Sequence, residues 1–246
     1  EVFMSMYDLD GRRMTSDPRH ALARQVEAMA AEGLHPAGAF ELEFFLLSNE
    51  RDARGKVVPA RDVLDGRPST KTEVYSVDHL HGMLPLFSDI YAAAGKAGIT
   101  AETMISEYAP GQMEIVLRHR ADVLKACDEG IMLKRLIKNV AEKHGMAATF
   151  MAKPYSEWTG SGMHIHISLG DEQGNNLFAA EEPAKNELLM HSVGGLKAAM
   201  AESMLIFAPN ANSYRRFRRN SYAPVSASWG INNRTVSLRI PAGAAA

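Results

Sequence analysis

Residues 39–47 read Ala39-Phe40-Glu41-Leu42-Glu43-Phe44-Phe45-Leu46-Leu47, and their alternation is that of a β-strand. Successive strand side chains point to opposite faces, so Glu41 and Glu43 share one face while Phe40, Leu42 and Phe44 share the other. Two carboxylates this close in so apolar a strand are costly to desolvate unless something positive lies between them. Either that face is open to solvent, or a divalent cation sits against it.

Working outward, Ser16, Asp17 and Pro18 start a helix whose Leu22, Val26, Met29 and Ala30 follow at helical spacing up to Gly33. Residues 48–72 are polar, with Gly55, Pro59, Gly66 and Pro68, and read as a long surface loop. A helix over 77–97 turns Leu80, Met83, Leu84, Phe87, Ile90 and Ala94 inward. Two short strands follow within 100–118, around a Pro110-Gly111 turn. The next helix, 122–144, carries the stripe Val123, Cys127, Ile131, Leu136, Ile137 and Val140, which places Cys127 in the core. Strands at 147–153 and 163–169, a helix at 186–207 stopped by Pro209, and a last strand at 234–240 complete the reading. Hairpin-like connections favour an α+β fold with a mainly antiparallel sheet over a doubly wound parallel one.

Composition narrows the function classes. Hydrophobic residues at 46% and charged residues at 23% exclude a disordered, coiled-coil or collagen-like chain. A net charge of −2 gives no overall field for nucleic acid or an acidic membrane, and no apolar run of about 18 residues is present to span one. That charge also argues against reading Arg215 to Arg219 as a nucleic-acid patch. The single cysteine, Cys127, excludes an internal disulfide and a four-cysteine zinc site, and points to a reducing, cytoplasmic compartment. The chain opens at Glu1 without a signal peptide. It closes on what reads as a strand exit, Arg239-Ile240-Pro241-Ala242-Gly243, so both ends read as cut.

Three further stretches carry chemistry. Ser106-Glu107-Tyr108-Ala109-Pro110-Gly111-Gln112-Met113-Glu114 places Glu107 and Glu114 on either side of a tight turn that can fold both to one locus; a plain hairpin with two surface acids is the alternative. Thr159-Gly160-Ser161-Gly162 leads into Met163-His164-Ile165-His166-Ile167-Ser168, where His164, His166 and Ser168 share a face beside a glycine loop that lets backbone approach a ligand. No Gly-Lys-Ser/Thr follows, so this is not a P-loop. Arg215, Arg216, Arg218 and Arg219, then Arg234 and Arg239, offer guanidinium forks for carboxylate or phosphate oxygens. Arg234 and Arg239 are five apart, so they reach one site only through a bulge or with Arg234 in the loop before the strand. Carboxylates with histidine suit Mg²⁺ or Mn²⁺ rather than zinc. Arginines added to such ions imply phosphate oxygens, and hence ATP chemistry without a Walker motif.

At these elements the sequence resembles the glutamine synthetase family, from Tyr7-Asp8-Leu9-Asp10-Gly11 and Asp17-Pro18-Arg19 to Leu238-Arg239-Ile240-Pro241. The resemblance implies that family's catalytic-domain fold, a curved antiparallel sheet flanked by helices. It makes residues 1–246 a single catalytic domain incomplete at both ends, lacking a β-grasp-like N-terminal domain and a C-terminal segment. Glu43, Glu107 and Glu114 match the ligands of one metal ion, and Glu41 and His164 match two ligands of a second, whose remaining glutamate would lie beyond Ala246. His166 and Ser168 match residues near ATP, Gly160 the loop holding glutamate, and Arg216 an arginine on the substrate carboxylate. Arg234 and Arg239 match arginines on the transferring phosphate and the nucleotide. The implied reaction phosphorylates the glutamate side chain from ATP, and an amine then displaces phosphate to leave an amide. The implied assembly is a homo-oligomeric ring in which a neighbouring subunit completes each site.

Ammonia-using members carry a flap glutamate just before Ala-Pro-Val; here that place is Tyr222, in Ser221-Tyr222-Ala223-Pro224-Val225, and Thr159 stands where an asparagine is usual. Phe150-Met151-Ala152-Lys153-Pro154-Tyr155 and Trp229-Gly230-Ile231-Asn232-Asn233-Arg234 resemble the γ-glutamylpolyamine branch, typified by γ-glutamylputrescine synthetases. The expected acceptor is therefore a polyamine. Glutamine synthesis from ammonia, and a catalytically silent sensor or assembly protein, are the alternatives.

Overall fold

The structure, a computed structural model, describes residues 3–241, so Ala242 and Gly243 of the expected strand exit lie outside it. Helix α1 (Pro18–Ala31) starts as expected, with the Asp17 side chain accepting from the Arg19 amide at 2.8 Å and proline in the first turn. Its stripe is shallower than expected. Leu22, Val26 and Met29 are half-buried and Ala30 is exposed.

The acidic strand is longer than its alternation suggested. Strand β1 runs His35–Arg51, and β2 (Val57–Pro59) folds back on its end, so part of the expected surface loop is sheet. Most of that loop is exposed, but Asp62 and Ser69 are each only 4% exposed, Asp62 turned toward Arg67 and His79 and Ser69 accepting from the Gly111 amide at 2.9 Å. The expected helix over 77–97 is two helices, α2 (Val77–Gly82) and α3 (Leu84–Lys96). Pro85 has no amide hydrogen to continue the first ladder and its ring crowds the preceding turn, so the chain restarts there. The restart changes the phase: Leu84 is exposed and Leu86 takes the core position.

Strands β3 (Ala101–Ser106) and β4 (Gln112–Leu117) form the expected hairpin. Helix α4 (Val123–Lys143) buries Ala126, Gly130, Leu133, Ile137 and Val140; Ile131 is exposed and Cys127 only half-buried, so the expected stripe was rotated toward one edge of the true one. Strand β5 (Met146–Thr149) stops early, because Ala152 turns its carbonyl to the Ser161 amide at 3.0 Å to shape the glycine loop. Strand β6 (Met163–Gly170) follows. The expected helix over 186–207 is broken into α5 (Glu187–Ala199) and a short α6 (Met204–Phe207). Leu205, Ile206 and Phe207 are all exposed, so no packed face holds it as one piece. Helix α7 (Ala211–Tyr214) precedes β7 (Trp229–Ile231), which pairs in parallel with β8 (Leu238–Ile240), the remnant of the strand expected from 234.

Strand β1 organises the main sheet. On one side it pairs antiparallel with β4 and β2, and on the other with β6 along its first half and β5 along its second; β3 extends the sheet beyond β4. Leu42, Phe44 and Leu46, at most 1% exposed, pack with Met113 and Ile115 against Leu86 and Ile90 of α3 and Leu133 and Ile137 of α4. Each such side chain contributes roughly 1.5–3 kcal/mol by burial. That apolar face anchors the sheet, and Glu41 and Glu43 stand on the opposite one.

Candidate active site: an acidic sheet face with glycine and arginine walls

Register decides what stands beside what. Glu43 lies directly opposite Glu114 on β4, and Glu41 directly opposite His164 on β6, so the four side chains share one face. Glu41 meets Nδ1 of His164 at 2.6 Å and Nε2 of His166 at 2.8 Å. These hydrogen bonds, His164's first, hold the Glu41 carboxyl well below the usual carboxylate range, and the Glu41 bond raises His164.

Glu114 has the opposite problem. It is 7% exposed, and burial followed by the charges of Glu41, Glu43 and Glu107 pushes its carboxyl up to about 7. His164 Nδ1 lies 3.8 Å from it. Burial and Glu43 also raise Glu107. Donor atoms of Glu41, Glu114 and His164 lie within 4.8 Å of one another. Converging carboxylates that raise one another's pKa, with an imidazole among them, fit a hard divalent cation, which removes the repulsion while taking oxygen ligands.

The structure groups the expected ligands in its own way. Glu114 stands with Glu41 and His164. Glu43 Oε2 accepts from the Gly162 amide at 2.9 Å and from Gln112 Nε2 at 3.2 Å, and Glu107 accepts from the next residue's amide at 3.2 Å. His166, expected beside a nucleotide, turns Nε2 to Glu41, and its ring lies 5.7 Å from that of His119. Ser168 shares the strand face of His164 and His166.

A second wall joins the glycine loop to Arg216. A Cβ at Gly160 would collide with the Ala152 carbonyl and lie 2.9 Å from Arg216 Cγ, and one at Gly162 would lie 2.7 Å from an Arg216 guanidinium nitrogen. Asn212 fixes this approach by accepting from the Lys153 amide at 2.7 Å and donating to the Lys153 carbonyl at 2.9 Å. The Arg216 guanidinium faces Glu43, and its Nε is buried without a hydrogen-bond partner among the described residues. An orphaned guanidinium donor suits an incoming carboxylate. Arg234 lies in the loop before β8, which resolves the five-residue spacing to Arg239, and donates to the Tyr75 hydroxyl at 3.0 Å. Arg239 is on β8, opposite Gly230.

Several residues escaped sequence reading. Gln112, 1% exposed, donates to Glu43 and to the Gly160 carbonyl at 3.1 Å while accepting from Ala109 N and Thr159 Oγ1, tying three segments together. An amide between two acids after a Pro-Gly turn was its signal. Tyr75 and Tyr108 carried none. Tyr222 is exposed at φ 58°, with its ring 5.2 Å from that of Tyr108.

A curved antiparallel sheet with an acid- and histidine-lined face, walled by a glycine loop and arginines, is the catalytic-domain architecture of the glutamine synthetases. The family model described as "Glutamine synthetase, catalytic domain" matches residues 15–246, and the chain belongs to that family. It is 45% identical over 243 residues to γ-glutamylputrescine synthetase PuuA of Escherichia coli (strain K12), covering 99% of this chain and 52% of that protein. It is 38% identical to a glutamate–isopropylamine ligase of a Pseudomonas species, covering 97% and 51%. A solved structure titled "Apo GmaS without ligand" superposes with a TM-score of 0.79 at 29% identity, over 94% of this chain and 52% of that one. The chain thus spans about half the length of the relatives it matches. The expected fold class is borne out. No helix among the described residues is long and apolar enough to cross a membrane.

Proposed function

We propose that this chain is the greater part of the catalytic domain of an ATP-dependent ligase that joins glutamate to an amine as a γ-glutamyl amide. The observation carrying the reading is the shared face of Glu41, Glu43, Glu114 and His164, with Glu107 close enough to raise Glu114. Those five residues would hold Mg²⁺ or Mn²⁺, two ions in the reading implied by the family, which when bound supply positive charge for phosphate oxygens. Arg216, with its orphaned Nε, orients the glutamate carboxylate beside Gly160. Arg234, steadied by Tyr75, and Arg239 neutralise phosphate oxygens, with His166 and Ser168 toward the nucleotide. A γ-carboxylate oxygen attacks the terminal phosphorus of ATP and ADP leaves. The alkylammonium then gives a proton to a base, and its nitrogen lone pair attacks the acyl carbon. The bond from that carbon to the phosphate oxygen breaks, and inorganic phosphate leaves with the second N–H proton.

The acceptor assigned here is an alkyl amine of the putrescine kind. Its support is the exposed Tyr108–Tyr222 pair where ammonia users place a carboxylate, together with the similarity to two amine ligases. Aromatic faces suit an alkylammonium chain, whereas small, strongly hydrated ammonium benefits more from an acid. The protein is read as cytoplasmic and as one part of a longer chain assembled in a homo-oligomeric ring. Phosphate release should depend on glutamate, Mg²⁺ and putrescine in the full-length protein and be absent or nearly so from residues 1–246 alone. Saturation by millimolar ammonia with putrescine inert would reject the acceptor. Unchanged Mn²⁺ affinity in Glu43→Ala would favour a silent relative.

A further inference from the structure

A buried polar cluster away from the acidic face lies between residues 62–79 and the end of β3. His79 on α2 is 2% exposed and Ser106, the last residue of β3, is 0% exposed. Ser106 Oγ is 2.7 Å from the Glu73 carbonyl and 3.0 Å from His79 Nδ1. A carbonyl only accepts, so the Ser106 hydroxyl commits its one proton to Glu73 and must accept from His79, which places the hydrogen on Nδ1. Asp62 Oδ1 stands 3.7 Å from His79 Nε2, Glu73 Oε2 stands 3.7 Å from Nδ1, and Arg67 reaches Asp62 at 3.0 Å. Serine, histidine and aspartate in this order resemble a nucleophilic triad. Full burial and the committed hydroxyl proton exclude that role.

The cluster instead bears on the site. Ser106 is tied a third time, through its carbonyl, to the Tyr75 amide at 2.8 Å. These three ties all come from residues 73–79 and add to the β3–β4 ladder, which pairs Ser106 with Met113 and bonds the Glu107 amide to the Gln112 carbonyl at 2.8 Å; the residue they fix is followed directly by Glu107. Tyr75 itself is held at φ 56° and presents its hydroxyl to Arg234. We propose that His79 and Ser106 are positioning residues that set the Glu107 carboxylate for a divalent cation. The proposal rests on the metal-binding reading of the acidic face.

The test is Mn²⁺ titration of the full-length protein, read as a dissociation constant on folded material alongside the melting temperature. Groups hydrogen-bonded to a metal ligand weaken metal binding by about 10–100-fold when removed; acting one residue away through the backbone, Ser106→Ala and His79→Leu should weaken it toward the low end, about tenfold. His79→Asn, whose amide can supply the lost N–H, should recover most of the loss. A merely structural cluster would lower the melting temperature and leave Mn²⁺ affinity unchanged, which overturns the proposal; so does His79→Asn binding as weakly as His79→Leu. Where His79→Leu fails to fold, Ser106→Ala decides alone. Glu107→Gln and Glu43→Ala together separate the two readings. Unchanged Mn²⁺ affinity in Glu107→Gln sinks this proposal, and unchanged affinity in Glu43→Ala as well sinks the metal reading with it. A weakened Glu107→Gln beside unaffected His79 and Ser106 variants sinks only the proposal.

Discussion

The anionic and cationic halves of the candidate site are held by different kinds of structure. Glu41, Glu43, Glu114 and His164 stand on three paired strands, and ladder register fixes their spacing. Arg216 and Arg234 stand on a one-turn helix exit and a loop, placed by side-chain contacts from Asn212, the glycine loop and Tyr75. Only a rigid sheet backed by buried leucines and phenylalanines can force carboxylates together against their repulsion. The arginines need no such force, and loops suit groups that must close on an arriving substrate.

The largest expected effect attacks the rigid half. Glu114→Gln should lower glutamate- and amine-dependent phosphate release by about 10²–10³-fold, through lost stabilisation of charge at the transferring group. Its effect on metal-free stability should have the opposite sign. The folded pKa of Glu114, about 7, lies above its unfolded value, so its share of stability is present at acid pH and lost as pH rises toward and through 7. His164, also raised, loses its share as pH rises through neutrality, whereas depressed Glu41 loses its share only in acid. The share of metal-free stability carried by Glu114 and His164 should therefore be smaller at pH 8 than at pH 5.5. It is opposed by His79 and His119, whose lowered pKa values cost stability toward acid. Glu114→Gln should thus raise the melting temperature at pH 8 relative to that at pH 5.5. An unchanged slope would mean these carboxylates do not repel.

Next comes the seam between the halves. Gly160→Ala must displace the Ala152 carbonyl or the Arg216 stem, costing about 1–3 kcal/mol of stability and raising the KM for glutamate more than it changes the KM for ATP. Equal changes in both would show that Arg216 is not specific to glutamate. Within the flexible half, Tyr222→Glu should shift the ratio of kcat/KM for ammonia over putrescine upward by about tenfold, on the scale of one partly exposed charge contact. The smallest change is Tyr75→Phe. Losing one exposed hydrogen bond to Arg234 should raise the KM for ATP severalfold, in line with about 1 kcal/mol. A loss as large as that of Glu114→Gln would contradict the division between rigid and adjustable halves.

Much of this was legible from residue order. Strand alternation marked the acidic and apolar faces of β1, and Pro110-Gly111 marked the β3–β4 hairpin, because both are local. Helix phase was less legible. Ile131 and Leu84 were expected inside and are exposed, since a helix apolar on several sides does not declare which side meets a sheet. Residues 48–72 read as a surface loop, yet Asp62 and Ser69 within them are buried, and so is His79, which lay outside the inward stripe of the expected 77–97 helix. Polar side chains can be interior when they satisfy one another across distant sequence, as His79 and Ser106 do.

Order along the chain thus determined which residues are candidates for chemistry and which strand faces they share, because side-chain alternation is a property of single strands. Tertiary structure alone decided who stands opposite whom: Glu43 with Glu114, Glu41 with His164 and His166, and Arg216 with the glycine loop. Register and loop closure depend on the whole sheet packing at once. Charges that are unremarkable apart perturb one another only after that packing has removed the water between them.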